Sequence, residues 1–232
     1  MFDASRPIYK PFHGIASLAN VPGGGSGSDS TRNIGLIPDG SSGGFDRVLI
    51  LEEDIQIAPD FFEFFTSVTH YVDHDPTILC ASAWNDNGLH HLVNANPSSS
   101  TGNNQVNKQL FRSDFFPGLG WMMSRKIWAE LGPKWPVAYW DDWLREPPQR
   151  KDRHTIRPEI CRTYHFGKKG VSSNQYGGYL NDILLSPEFV PFTDMDIDYV
   201  NNDQWDKIYI KEVKASQKVT MSTFKSVRDK IV

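Results

Sequence analysis

The segment Val48-Leu49-Ile50-Leu51 runs directly into Glu52-Glu53-Asp54. A short apolar run of this kind reads as a buried strand. Three adjacent carboxylates repel one another, so stability alone does not favour them at a strand end. Two readings account for them. In one, the acids receive a cation. Carboxylate oxygens suit hard divalent ions such as Mg2+ or Mn2+, which commonly hold substrate phosphates through one or two protein carboxylates. Ligands of open α/β sheets also gather just beyond the carboxyl ends of strands. In the other reading, the acids cap the turn and the helix that follows, with Pro59 near its first position. The spacing by itself leaves both open.

The rest of the chain alternates strand and helix signals, which argues for an α/β fold. Arg47–Leu51 and Thr77–Ala83 read as strands. Pro59–Val72 reads as a helix, with Phe61, Phe62, Phe65 and Val68 near three-to-four spacing. Ser124–Leu131 reads as a short helix, capped by Ser124 and stopped by Gly132-Pro133. Trp140–Arg145 opens another helix and Arg162–Phe166 forms a strand. Residues 89–109 and 168–180 read as loops, and the tail from Phe189 carries mixed strand and helix signals. Residues 22–44 include Gly23-Gly24-Gly25-Ser26-Gly27-Ser28. That composition cannot bury a core and is expected to be flexible. It is a boundary between a segment, 1–21, and a domain spanning 45–232, or an insertion between a helix and a strand.

Composition excludes several classes. The 232 residues carry a formal net charge of −4, so no basic footprint points to nucleic acid. No run of about 18 apolar residues is present, and Phe2-Asp3-Ala4-Ser5-Arg6 lacks the apolar core of a signal peptide. Two cysteines, Cys80 and Cys161, are too few for a disulfide framework and lack metal-type spacing. The seven histidines do not form a ligand set, and His90-His91 sit in a polar loop.

Three further segments can carry chemistry. Trp140-Asp141-Asp142-Trp143 places two acids between indoles. Either acid can serve as a base within reach of a hydroxyl, or Asp141 can cap a helix. Lys168-Lys169-Gly170-Val171-Ser172-Ser173 can close over a diphosphate with backbone N–H groups and hydroxyls, or it is an ordinary solvated loop. Pro117-Gly118-Leu119-Gly120-Trp121 has glycines where the backbone turns tightly or approaches a ligand. In Trp84-Asn85-Asp86-Asn87-Gly88, Asn and Gly are sufficiently explained as turn formers.

These blocks occur in one order with Ala58-Pro59-Asp60-Phe61-Phe62, Asp114-Phe115-Phe116, Pro133-Lys134-Trp135-Pro136, Arg157-Pro158-Glu159-Ile160 and Phe166-Gly167-Lys168-Lys169. Together they resemble the N-acetylglucosaminyltransferase I family, the alpha-1,3-mannosyl-glycoprotein 2-beta-N-acetylglucosaminyltransferases, over residues 45 to about 195. The protein O-mannose N-acetylglucosaminyltransferases share many of the blocks. Asn87 and the Phe115-Phe116 pair sit closer to the N-glycan branch.

The resemblance implies a GT-A type, Rossmann-like nucleotide-sugar fold, incomplete at the N-terminus, with a helix-like segment over 1–21. It implies inverting, Mn2+-dependent transfer of N-acetylglucosamine from UDP-N-acetylglucosamine to a mannose of a glycoprotein N-glycan, in β-1,2 linkage. Asp54 matches the metal ligand. Glu52, Glu53, Leu119 and Ser172 match donor contacts, with Glu53 longer than the Asp of the type sequence. Asp141 matches the base; the Trp140 indole beside it can form an apolar wall and a sugar-stacking, substrate-binding surface. Cys80 matches a cysteine usually in a disulfide, whose partner position is Thr155 here; Cys161 is a substitute, or both thiols stay free. The implied location is the lumenal face of the Golgi membrane, through an N-terminal anchor absent from this sequence. The first nucleotide-binding strands are expected to be missing too, so that the chain alone is inactive or nearly so. A remnant retaining only binding or structural roles is the alternative from another class.

Overall fold

The computed structural model describes residues 15–16, 46–93, 106–167, 177–216 and 218–224. The Gly/Ser-rich stretch 22–44 and the loop residues Lys168–Ser173, Ser172 among them, lie outside the described residues. The chain divides into two units, Met1–Ile197 and Asp198–Val232.

The strands of the first unit are β1 (Ile15–Ala16), β2 (Arg47–Ile50), β3 (Ile55–Ile57), β4 (Ile78–Ser82), β5 (Leu110–Ser113), β6 (Trp121–Ser124), β7 (His154–Pro158) and β8 (Thr163–His165). Its helices are α1 (Phe61–His74), α2 (His90–Val93), α3 (Arg125–Leu131), α4 (Trp140–Arg145), α5 (Pro147–Arg150) and α6 (Gly177–Asn181). The result is a mixed α/β architecture, as expected. Six strands form one mixed sheet in the order β1-β2-β6-β4-β7-β5, and β3 pairs with β8 in a separate antiparallel ribbon.

Strand direction decides where a site can form. β6 is antiparallel to both β2 and β4, β4 is parallel to β7, and β5 is antiparallel to β7. The carboxyl ends of β2, β4 and β7 therefore share one edge with the amino ends of β6 and β5. Glu52–Asp54, Trp84–Gly88, Gly118–Gly120 and Glu159–Cys161 all leave the sheet at that edge.

Packing explains the strands that the pattern did not reveal. β6 is buried at every residue, so it shows no period-two alternation. β6 is only four residues long, between a glycine turn and a helix. β7 ends on Pro158, a residue that argues against a central strand except at its terminus. The polar loop expected over 89–109 holds the short helix α2.

Helix α1 starts at Phe61, two residues later than expected. It buries Phe61, Phe64, Phe65, Val68, Tyr71 and Val72, the three-to-four stripe that follows from that start. Phe62 is left exposed, and Phe64 takes the place expected for it. Asp60 occupies the cap position but makes no side-chain cap bond. Its carboxylate turns instead to the Arg162 guanidinium, whose Nε donates to both oxygens at 3.2 and 3.0 Å. Helix α3 behaves as its sequence predicts, with Ser124 Oγ accepting from Ile127 N–H at 3.4 Å.

Both cysteines are free and buried. Cys80 faces Thr155 across β4 and β7, with Sγ 3.4 Å from Oγ1. Cys161 exchanges bonds with the Asn85 backbone at 3.2 and 3.3 Å. Burial pushes each thiol up to about 12, so neither is poised as a nucleophile.

The second unit holds α7 (Asn202–Ala215), which begins after the cap residue Asn201 and buries Trp205. The helical signal prevails in that tail. No helix among the described residues is long and apolar enough to cross a membrane.

Candidate functional site

The acidic triplet emerges between β2 and the β3–β8 ribbon. Asp54 immediately precedes β3, and Ile55 pairs with His165 at the end of β8. The ribbon closes around Asp54 in three ways. Phe166 N–H donates to the Asp54 carbonyl at 3.0 Å. His165 Nε2 lies 3.0 Å from Asp54 Oδ2. Gly167 leaves room for that oxygen, since a Cβ added there would stand 2.1 Å from it.

Glu52 is half-buried and Glu53 exposed. Burial raises the Glu52 pKa above the ordinary carboxyl value. Asp54 raises it further, His165 offsets part of the effect, and Glu53 and Asp141 add to the rise. The fold thus brings Asp141 within electrostatic reach of the triplet. That concentration of like charge is the repulsion anticipated from the sequence, offset in part by His165.

Asp141 does not cap its helix. Tyr139 occupies the cap position of α4 with a left-handed φ of 55°, and Asp141 stands in the first turn. One turn on, Arg145 Nη1 donates to Asp141 Oδ2 at 3.2 Å and to Asp142 Oδ1 at 2.8 Å. Arg145 is itself fixed by donating from Nε to the Phe116 carbonyl at 3.0 Å and by lying 4.7 Å from the Phe115 ring centroid. Asp141 is the more sheltered of the two acids, its side chain 43 % exposed against 72 % for Asp142.

Aromatic rings wall the acids on one side. The Trp140 indole lies nearly parallel to Trp121 and Trp135, with centroids 5.6 and 6.1 Å apart. Phe116 meets Trp121 edge-on at 4.9 Å. Trp140 is therefore part of a packed stack as well as a neighbour of Asp141.

The glycine turn before β6 is held entirely through its backbone. Gly118, Leu119 and Gly120 have φ of 70°, 53° and 88°. Their carbonyls accept from Ser82 Oγ, Thr163 Oγ1 and Ala83 N–H, each at 2.8 Å. Leu119 packs beside Trp84, Cys161 and Ile183.

The GNT-I family model matches residues 41–231. The chain belongs to the GNT-I family. It is also 45% identical over 176 residues to the Alpha-1,3-mannosyl-glycoprotein 2-beta-N-acetylglucosaminyltransferase of Arabidopsis thaliana, an alignment covering 75% of this chain. The chain spans 37% of that relative's length.

Within this GNT-I family chain, the fold assembles Glu52, Glu53, Asp54, Leu119, Trp140 and Asp141 on neighbouring segments of one sheet edge. Sequence reasoning missed His165, Arg145 and Asp86. His165 stood among histidines with no ligand spacing, and its partner lies in another segment. Arg145 was visible only as a helix end, although its i, i+4 offset from Asp141 was a usable signal. Asp86 lies in a segment whose Asn and Gly were explained as turn formers, and it was given no role. Its carboxyl is raised by burial, while the Trp84 indole N–H bonded to it and the nearby Arg145 and Arg157 partly offset the rise.

Asp54 is the carboxylate at this strand end that could hold a divalent ion. Among the described residues no cluster of three or more His, Cys, Asp and Glu side chains forms a metal cage. A strand-end carboxylate in an acidic surrounding instead suits a hard ion shared with a phosphate ligand.

Proposed function

We propose that this chain carries the metal, donor and base positions of a GT-A type glycosyltransferase. The reaction is inverting transfer of N-acetylglucosamine from UDP-N-acetylglucosamine to a mannose hydroxyl of a glycoprotein N-glycan, forming a β-1,2 linkage. The observation that carries the reading is the convergence of the Glu52-Glu53-Asp54 triplet with Asp141 at one sheet edge, in a GNT-I family chain. The likeness to the Arabidopsis alpha-1,3-mannosyl-glycoprotein 2-beta-N-acetylglucosaminyltransferase supports an N-glycan acceptor over an O-mannose one. Such a reaction belongs at the lumenal face of Golgi membranes.

Asp54 is the residue that holds Mn2+. The ion supplies Lewis-acid neutralisation of the departing diphosphate. Glu52 and Glu53 accept hydrogen bonds from donor hydroxyls, and Leu119 lines the donor sugar. Ser172 donates to a phosphate oxygen. Asp141 takes the proton from the acceptor hydroxyl as it attacks the anomeric carbon from the face opposite the leaving group. Arg145 holds Asp141 in place by donating from Nη1 to Oδ2. Trp140 and its stacked neighbours exclude water from that side.

Calorimetric titration of Mn2+ and UDP into wild type and Asp54→Ala tests the reading. At least a tenfold loss of Mn2+ affinity is expected in the variant. Equal heats and affinities would remove Asp54 from the site.

A further inference from the structure

Asp54 is the only member of the acidic triplet whose carboxylate is gripped by the β3–β8 ribbon. The grip comes from residues far away in sequence. His165 Nε2 lies 3.0 Å from Oδ2, and the Gly167 backbone approaches the same oxygen so closely that a Cβ would stand 2.1 Å from it. The Phe166 N–H between them fixes the Asp54 carbonyl at 3.0 Å. Three consecutive residues thus act on one aspartate.

The His165 ring has a feature that a stabilising histidine rarely shows. Its other nitrogen, Nδ1, is buried and has no hydrogen-bond partner in the described structure. Buried side-chain nitrogens are normally satisfied. The imidazole is therefore not a node of a structural polar network. Among the described residues its one close polar contact is to Asp54. A ligating carboxylate whose second oxygen is held by a neighbour presents the first in a fixed direction, and partners of this kind set metal affinity.

We propose that His165 is the positioning residue for Asp54. His165 and the bare backbone of Gly167 hold Oδ2, so that Oδ1 is presented to the divalent ion as a single-oxygen ligand. The proposal rests on Asp54 being the metal ligand, and it accounts for a glycine at position 167 on steric grounds alone.

The test uses the whole 232-residue chain with UDP present. Mn2+ binding is followed by the loss of the free-ion electron paramagnetic resonance signal. His165→Ala is expected to weaken Mn2+ binding by about 10- to 100-fold. His165→Gln, whose amide nitrogen can take the place of Nε2, restores most of the affinity. Gly167→Ala weakens binding as His165→Ala does, because its methyl displaces Oδ2. Thermal unfolding of the metal-free variants separates positioning from stability. A lowered midpoint with wild-type Mn2+ affinity in both His165→Ala and Gly167→Ala would make the role structural and overturn the proposal. Pulsed resonance of bound Mn2+ should show no directly coordinated nitrogen. A strong nitrogen coupling that vanishes in His165→Ala would make His165 a ligand and overturn it equally. Asp54→Ala keeps the two readings apart. If Asp54→Ala binds Mn2+ like wild type, or wild type binds none, the metal assignment itself falls. If Asp54→Ala loses binding while both ribbon variants keep it, only the positioning role falls.

Discussion

Replacing Arg162 should unseat the ribbon that carries His165. Arg162 and Asp60 are both wholly buried. The guanidinium donates to both Asp60 oxygens, to the Ile160 carbonyl at 2.6 Å and to the Asn107 carbonyl at 2.5 Å. Its main chain also links Ala58 to the end of β4, with Ala58 N–H donating to the Arg162 carbonyl at 2.9 Å and Arg162 N–H to the Ala83 carbonyl at 2.7 Å. Burial pushes the Asp60 carboxyl up and the Arg162 guanidinium down, the two directions expected when charges are taken out of water. Arg162→Met keeps most of the volume but leaves Asp60 with only the Val190 N–H at 3.2 Å as a long-range partner. Breaking a buried pair by removing one member costs about 3–5 kcal/mol. With a urea slope of about 2–3 kcal/mol/M, the unfolding midpoint falls by about 1–2.5 M. Adding Asp60→Asn to Arg162→Met removes the orphaned charge and should recover part of the loss. A cost below about 1 kcal/mol for Arg162→Met, or a double variant less stable than Arg162→Met, would refute the reasoning.

Three further outcomes follow from the same geometry. In a transfer assay with UDP-N-acetylglucosamine and a mannosyl acceptor, Asp141→Asn should lower kcat by about 100- to 10,000-fold, while Asp142→Asn changes it little; the reverse order would move the base to Asp142. Asp75 should govern part of the acid stability: burial raises its carboxyl, but bonds from Thr77 and Arg112 outweigh that and leave it below its usual range. A depressed carboxyl stabilises the fold above the unfolded value and loses that contribution as pH falls through the folded one. Asp75→Asn is therefore less stable than wild type at pH 7 in urea titrations, and the gap closes below about pH 4. Thr155→Cys should form a disulfide with Cys80, since the two residues are register partners with side-chain atoms 3.4 Å apart; mass spectrometry shows the loss of two hydrogens, and stability rises by up to about 2–4 kcal/mol.

The acidic triplet was legible because strand and acids are contiguous, and their repulsion is a property of local sequence. α3 was legible because Ser124 and Gly132 bracket it. The start of α1 was misjudged by two residues because Asp60 answers to Arg162, 102 positions away, instead of to its own helix. Phe62 was expected in the core, but the buried face runs through Phe61, Phe64, Phe65 and Val68. β6 and β7 were hidden because burial on both faces erases alternation and because Pro158 argues locally against a strand. His165 was hidden for the simplest reason: its meaning lies in Asp54, which only strand pairing brings near.

The order of the sheet also sets a timetable. Among the strands of the described residues, β1 and β2 are the only sheet neighbours that follow one another in order. Every other pairing waits for a distant segment, and β4 at the centre must hold a place for β7, which is synthesised more than 70 residues later. Folds built from such non-local pairings close slowly. Until β7 arrives, the apolar residues of β4 have only partial cover, and such transiently open edges are where aggregation begins. Recovery of this protein from a host cell should therefore depend more on the rate of synthesis and the supply of chaperones than on the equilibrium stability of the finished molecule.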